Sequence, residues 1–365
     1  VRKRSRVRLK VAAVAVAVAL AGAAVYMAGG KTETVLKEVP ELAPGEEADY
    51  RASVTWPLSE ADQSGAGAAS GVAVDSQGYL YYLHRAGYAF NNDEIIPEPT
   101  IVKLDPASGE VLAEFGAGVF QSPHGLTVAA DGSVWVTDVQ LNEVIKLSAE
   151  GEVLRRYGKQ YPFYMETMLR LRNVLPRLPV PQPEAMFARP TDVVVTEQGE
   201  FIVADGYRNK RVAKFTADGE LVWQLNADGS GDGQFNLPHG LSADRQGRLY
   251  VADRKNARIQ VLSPDGEWLA SWDGPELGRP YGVEVGADGY VYAVDGGDAL
   301  DGGSDRERSR IVKLDAEGRV VARWGSWGEG VGQMRTPHDI AVDASGNVYV
   351  ADLDNNRVQR YSLER

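Results

Sequence analysis

The chain has 365 residues, 44% of them hydrophobic, with 40 glycines, no cysteine and a formal net charge of −12. That length can bury a substantial core in one or two domains, and the glycine content points to many turns and an all-β architecture. The acidic balance argues against a nucleic-acid partner, and the missing thiols exclude disulfides, thiolate metal sites and a cysteine nucleophile.

The N-terminus departs from that average. Residues 1–10, VRKRSRVRLK, are basic and contain no acid, and residues 11–30 carry no charge. Twenty mostly apolar residues at ~1.5 Å each span roughly 30 Å, the thickness of a bilayer core. A single-pass transmembrane signal anchor over 11–30 is therefore expected, with a cleaved signal peptide as the competing reading. The basic flank would keep residues 1–10 cytoplasmic and put the rest on the extracytoplasmic side, membrane-attached or secreted. Residues 31–48, KTETVLKEVPELAPGEEA, are acidic, hold two prolines and read as a linker.

From residue 69 a pattern recurs: an aliphatic strand, an Asp/Gly turn, a second strand ending near VAD, then an N-x-R-V element and a D-G-E-V element. The first strands read GVAVD, GLTVA, DVVVT, GLSAD, GVEVG and DIAVD. Six copies of four short strands predict a six-bladed β-propeller over residues 49–365, and the copies resemble NHL repeats. The last copy stops one strand short. Residues 50–57, YRASVTWP, resemble the missing element, so this N-terminal strand is expected to complete the last blade and close the ring. The inter-strand turns on one face are short. The long excursions, 86–99, 159–188 and 296–309, all fall on the opposite face, which marks it as the working one. Within the second, YPFYMETMLRLRNVLPRL reads as an amphipathic helix that touches lipid, covers the pocket or packs on the surface.

Only four histidines occur in the chain, and three follow a proline at the same point of the repeat. That point, the start of the innermost strand, holds Ser70, His124, Thr191, His239, Tyr281 and His338 in blades one to six. Histidine in alternate blades puts three imidazoles ~120° apart around the axis. Three neutral imidazoles with an open fourth position match a catalytic Zn²⁺ site. Blade one ends its second strand in LYYLHR where the other blades end in a YVAD-like run closed by aspartate. His84 there reads as structural, while Arg85 is a fixed cation suited to a carboxylate or to a blade-to-blade salt bridge. Tyr207, just past the second strand of blade three, is a candidate base whose phenol a metal and a guanidinium would push down.

In order along the chain, SGVAVD followed by HR, then PHGL, PTDVVV with ADGY, PHGL with VADR, and PHDI resemble the peptidyl-α-hydroxyglycine α-amidating lyase family. The resemblance implies zinc on His124, His239 and His338, and catalytic roles for Arg85 and Tyr207. It also implies a structural calcium on Asp339 and the carbonyls of Val72 and Leu126. The implied reaction is a carbon–nitrogen lyase step on a peptide or small N-acyl-α-hydroxyglycine, giving an amide and glyoxylate. A monomer is expected. Two departures stand out: the paired cysteines of animal members are missing, and Thr336 replaces a methionine two residues before the third histidine. The competing functions are a non-catalytic propeller that binds a peptide or protein outside the cell membrane, and a calcium-dependent lactonase-like hydrolase. The second favours axial carboxylate and Asn ligands.

Overall fold

The computed structural model describes residues 50–57, 67–158, 162–175, 186–297 and 308–363. The basic segment 1–10, the apolar span 11–30 and the linker 31–48 lie outside the described residues, as do parts of the 159–188 and 296–309 excursions. Among the described residues no helix is long and apolar enough to cross a membrane.

The repeats form six four-stranded sheets. In the first, Ala69–Val74, Leu80–His84, Ile101–Leu104 and Val111–Phe115 run antiparallel in sequence order. The inner strands of blades two to six are Pro123–Val128, Asp192–Val195, Pro238–Ala243, Pro280–Val285 and Pro337–Val342. Each contacts the next, and the sixth contacts the first, so the ring is closed. Its closure is the one expected: Tyr50–Trp56 pairs antiparallel with Arg357–Leu363, with Val54 opposite Gln359. An open edge of unpaired backbone groups is thereby covered.

The apolar core is divided among the seams between blades. Each seam holds one hydrophobic cluster, built from the alternating residues that two neighbouring sheets turn toward each other. At the seam of blades six and one, Trp56 is 5% exposed and packs with Leu80, Tyr82, Tyr349 and Val358. The polar frame is also repeated. The aspartate ending the second strand is fully buried in five blades: Asp138, Asp205, Asp253, Asp295 and Asp352. In blade four Asp253 accepts hydrogen bonds from Asn256 at 2.7 Å and Arg258 at 2.9 Å, which accounts for the D-x-x-N-x-R spacing. Deleting one partner of such a buried pair leaves the other charge without compensation.

Residues Tyr161–Pro183 fall in a separate compact unit, and its described part is the helix Phe163–Val174. The helix begins after Pro162, within the stretch read as helical from the sequence. In it Leu169 is buried while Tyr164 and Leu171 are exposed.

The closing strand generates a stability test. Trp56→Ala opens a cavity where the first and last repeats meet, and is expected to cost about 3–5 kcal/mol. Trp56→Phe should cost less than half of that. Urea unfolding followed by circular dichroism reads both, and equal midpoints for wild type and Trp56→Ala would show that the strand does not close the ring.

Candidate functional site

The inner strands crowd the axis, and this crowding selects the residues there. The residue after the repeat's histidine position is glycine in four blades: Gly71, Gly125, Gly240 and Gly282. A Cβ on Gly125 would stand 2.5 Å from the Thr191 carbonyl oxygen, and one on Gly240 would stand 2.7 Å from that of Tyr281. At the start of the same strands the pairing register slips, between Pro123 and Leu126, Pro238 and Leu241, and Pro337 and Asp339. Such a bulge releases a residue from the ladder and re-aims its side chain. The Pro-His pair sits at that slip in blades two, four and six.

The three imidazoles meet on the axis. Their ring centroids are 4.9 Å apart for His124 and His239, 4.6 Å for His124 and His338, and 4.8 Å for His239 and His338. One ligand nitrogen from each lies within 4.8 Å of the others. Each Nδ1 is tied to a carbonyl of the next blade: His124 to Thr191 at 2.7 Å, His239 to Tyr281 at 2.9 Å, His338 to Ser70 at 2.7 Å. A carbonyl only accepts, so Nδ1 carries the proton and each Nε2 presents its lone pair to the centre. The three blades with no histidine on the inner strand thus supply the anchors for the three that have one.

Electrostatics hold the ring in the ligating form. Burial pushes His124 and His239 well below the ordinary imidazole value. His338 is pushed down to about 3, by burial and then by the Arg85 and Arg254 guanidiniums. Neutral imidazole is the metal-binding state.

Tyr207 stands on this ring. Its hydroxyl is 2.9 Å from Nε2 of His124 and 3.4 Å from Nε2 of His239. Gly206 makes the approach possible, because a Cβ there would collide with the Pro238 carbonyl. The expected downward push on the phenol is not what the protein's own groups produce. Burial raises it above its ordinary value and outweighs the lowering by Arg254 and Arg85.

Arg85 is 4% exposed, donates from Nε to the Pro123 carbonyl at 3.2 Å, and has its guanidinium 5.2 Å from the Phe90 ring centroid. Among the described residues no carboxylate lies within ion-pair distance of it, so the blade-to-blade salt bridge is not formed. His84 is held away from the axis. It stacks on Tyr82 at 5.2 Å and Trp56 at 6.0 Å, and its Nδ1 accepts from the Ala86 amide. It fills the place of the buried aspartate of the other blades. Thr336 is turned from the ring, bonded to Asp354.

Sequence reasoning missed Arg254. This residue follows VAD in blade four as Arg85 follows LYYLH in blade one, so the repeat alignment held the signal. It is 3% exposed and donates to the Tyr281 hydroxyl at 2.6 Å. Together Arg85 and Arg254 bring positive charge to the ring from opposite blades.

Below the histidines lies a second chamber of about 90 Å³, walled by Val72, Leu126, Asp192, Leu241, Glu284 and Asp339 among others. It brings together the three residues expected to hold calcium and adds two unforeseen carboxylates. Asp339 accepts from the amides of Val72 and Ile340 at 3.0 and 2.9 Å, and Asp192 from that of Leu241 at 2.7 Å. Among the described residues no lysine or arginine lines the chamber. Burial pushes Asp339 up to about 7 and Glu284 up to about 8, and Asp192 is driven well up by burial and by Asp339. Facing carboxylates without a protein cation are the donor set of a hard divalent ion.

Known proteins bear on this arrangement. The NHL repeat profile matches residues 187–215, 235–262 and 334–361. The chain is 33% identical over 318 residues to peptidyl-glycine alpha-amidating monooxygenase A of Xenopus laevis, covering 81% of this chain and 32% of that protein. It therefore spans about a third of the length of that relative. It is 30% identical over 335 residues to peptidyl-alpha-hydroxyglycine alpha-amidating lyase 2 of Drosophila melanogaster, covering 84% of this chain and 74% of that protein. A solved streptogramin B lyase superposes with a TM-score of 0.54 over 86% of this chain and 98% of that one, at 16% identity, which is a shared fold.

The lower chamber gives a pH test. Glu284 titrates near 4.5 when unfolded and near 8 when folded, so the native state holds the extra proton in that window. Stability then falls as pH rises through it. Chelator-treated protein should lose melting temperature from pH 5 to pH 8 in calorimetry, with a shallower slope for Glu284→Gln. Calcium added at pH 8 should raise it. Parallel slopes for the two proteins count against the assignment.

Proposed function

Because the chain belongs to the peptidyl-α-hydroxyglycine α-amidating lyase family, we propose that it is a zinc-dependent carbon–nitrogen lyase. Its substrate would be a peptide or small acyl group ending in α-hydroxyglycine, and its products a primary amide and glyoxylate. The observation that carries this reading is the ring of three imidazoles, each anchored at Nδ1, with the Tyr207 hydroxyl against two of the free Nε2 atoms.

The donor set fits the metal. Three neutral imidazoles within 4.8 Å of one another leave room for a fourth ligand, the open pattern of catalytic zinc. His124, His239 and His338 would hold a divalent cation, which would supply Lewis acidity and positive charge to the reaction. The other steps rest on the protein's own side chains. The substrate is a hemiaminal: breaking its C–N bond turns the carbinol carbon into an aldehyde as the hydroxyl loses its proton and the departing amide nitrogen gains one. No electrons are exchanged with a second reactant.

In this reading Tyr207 would carry that proton from oxygen to nitrogen. Arg254 and Arg85 favour its ionised form against burial. Arg85, a buried cation with no carboxylate at ion-pair distance among the described residues, would take the substrate carboxylate bidentately. Arg254 faces it from across the ring and adds to the same field. A structural calcium is assigned to Asp339 with the carbonyls of Val72 and Leu126, and Asp192 and Glu284 wall the same chamber. In this reading residues 11–30 anchor or export the chain, residues 31–48 are a linker, and the propeller 49–365 works as a monomer on the extracytoplasmic side. A peptide-binding platform without chemistry gives the histidine ring no role.

Two measurements test the proposal. Elemental analysis should find about one zinc per chain, reduced at least tenfold in His239→Ala. Glyoxylate release from an N-acyl-α-hydroxyglycine should fall ~100- to 10,000-fold in kcat for Tyr207→Phe, with zinc retained. Folded protein that takes up no zinc when offered, or a Tyr207→Phe variant as fast as wild type, would refute it.

A further inference from the structure

One ring touches four groups at or beside the site. Phe90, partly buried in the 86–99 excursion, lies 5.3 Å from the Tyr207 ring at 63° and 6.2 Å from the His124 ring at 65°. The Arg85 guanidinium is 5.2 Å from its centroid and that of Arg189 is 5.3 Å. Two guanidiniums around one aromatic ring is an arrangement that plain packing does not require. Like charges at that range repel, and the pair persists because the negative faces of the ring attract both.

The ring itself is fixed. Its own carbonyl accepts from Ser122 Oγ at 2.7 Å, two residues before His124. Arg189 donates to Asn91 at 2.8 Å and to Gln140 at 2.7 Å, so the cation beside Phe90 is held from both sides. Asn92 donates to the carbonyls of Glu94 and Gln121 at 2.6 and 3.0 Å, and Gln121 donates back to Asp93 at 2.7 Å.

The geometry points to Phe90 as the positioning residue for Arg85, holding the guanidinium by cation–π contact in the attitude from which it receives the substrate carboxylate. The choice of an aromatic has a chemical reason. A carboxylate would hold Arg85 at least as well, but it would neutralise the charge and compete with the substrate for the same N–H donors. A π face holds the cation and leaves those donors free. This rests on the lyase reading for the identity of the carboxylate, though the hold on Arg85 is independent of turnover.

The test uses Phe90→Leu, which keeps the bulk and removes the π face, and Phe90→Tyr, which keeps both. Phe90→Leu should raise KM for the hydroxyglycine substrate about 3- to 30-fold with kcat little changed, the range of one partly desolvated cation–π contact. Phe90→Tyr should restore it. In the Arg85→Ala background, Phe90→Leu should add nothing. Calorimetric titration with glyoxylate reads carboxylate affinity separately, and should follow the same order. If wild type binds glyoxylate but does not release it from substrate, the lyase reading fails and the role of Phe90 is still measured. Unchanged affinity in Phe90→Leu, equal impairment in Phe90→Tyr, or an added loss in the Arg85→Ala background would overturn the proposal.

Discussion

The hydrogen bond from Nδ1 of His338 to the carbonyl of Ser70 joins residues 268 apart in sequence, and it is the point where closing the fold and building the site become one event. The other two imidazoles are anchored within the run of the chain, His124 on Thr191 and His239 on Tyr281. The third anchor exists only if blade six meets blade one. That meeting depends on the strand Tyr50–Trp56 and on the cluster that seats Trp56 between the two blades. A ring that failed to close would leave His338 without the bond that fixes its tautomer, and two anchored imidazoles do not make a three-coordinate site. Stability at the seam and chemistry on the axis are therefore linked through a single strand.

The axis is electrically graded. At the histidine level Arg85 and Arg254 bring in two buried cations, and the imidazoles stay neutral. In the lower chamber Asp192, Glu284 and Asp339 share the walls with no lysine or arginine among the described residues. Charges in a low-dielectric channel act over longer distances than charges in water. The upper end favours an anionic ligand such as a carboxylate, and the lower end favours a divalent cation. The narrow, glycine-lined inner strands separate the two, so each end keeps its own character.

Much of this was legible in the sequence, for a definite reason. The repeat period, the strand alternation and the displaced last strand are properties of every copy, so six weak signals reinforce one another. The histidines were legible because they break a repeat in a symmetric way. Arg254 was missed although it breaks the repeat at the same place as Arg85, because an arginine after VAD looks like part of the D-x-x-N-x-R frame. Phe90 carries no periodic signal at all; its position depends on how a fourteen-residue excursion folds back over the ring. Glu284 sits in GVEVG, where only the inward direction of the strand reveals it. At the phenol of Tyr207 burial outweighs the two guanidiniums among the protein's own groups, a balance that sequence cannot give because it shows charges but not burial.

The missing cysteines pose a last physical question, since excursions over an active face must be held by something. In the 86–99 segment the answer is three side-chain to backbone bonds, Ser122 to the Phe90 carbonyl, Asn92 to the Gln121 carbonyl and Gln121 to the Asp93 carbonyl, with one backbone bond from the Ile96 amide to the Phe120 carbonyl. Arg189 then ties Asn91 to Gln140 across neighbouring connections. Each bond contributes about 1 kcal/mol, so four or five together match what one disulfide gives by restricting the unfolded chain. The two solutions differ in what they hold. A disulfide fixes one pair of backbone positions and leaves the rest of the loop free. The distributed bonds fix the loop along its length, including the carbonyl of Phe90, and this places an aromatic ring against Arg85 independently of redox conditions.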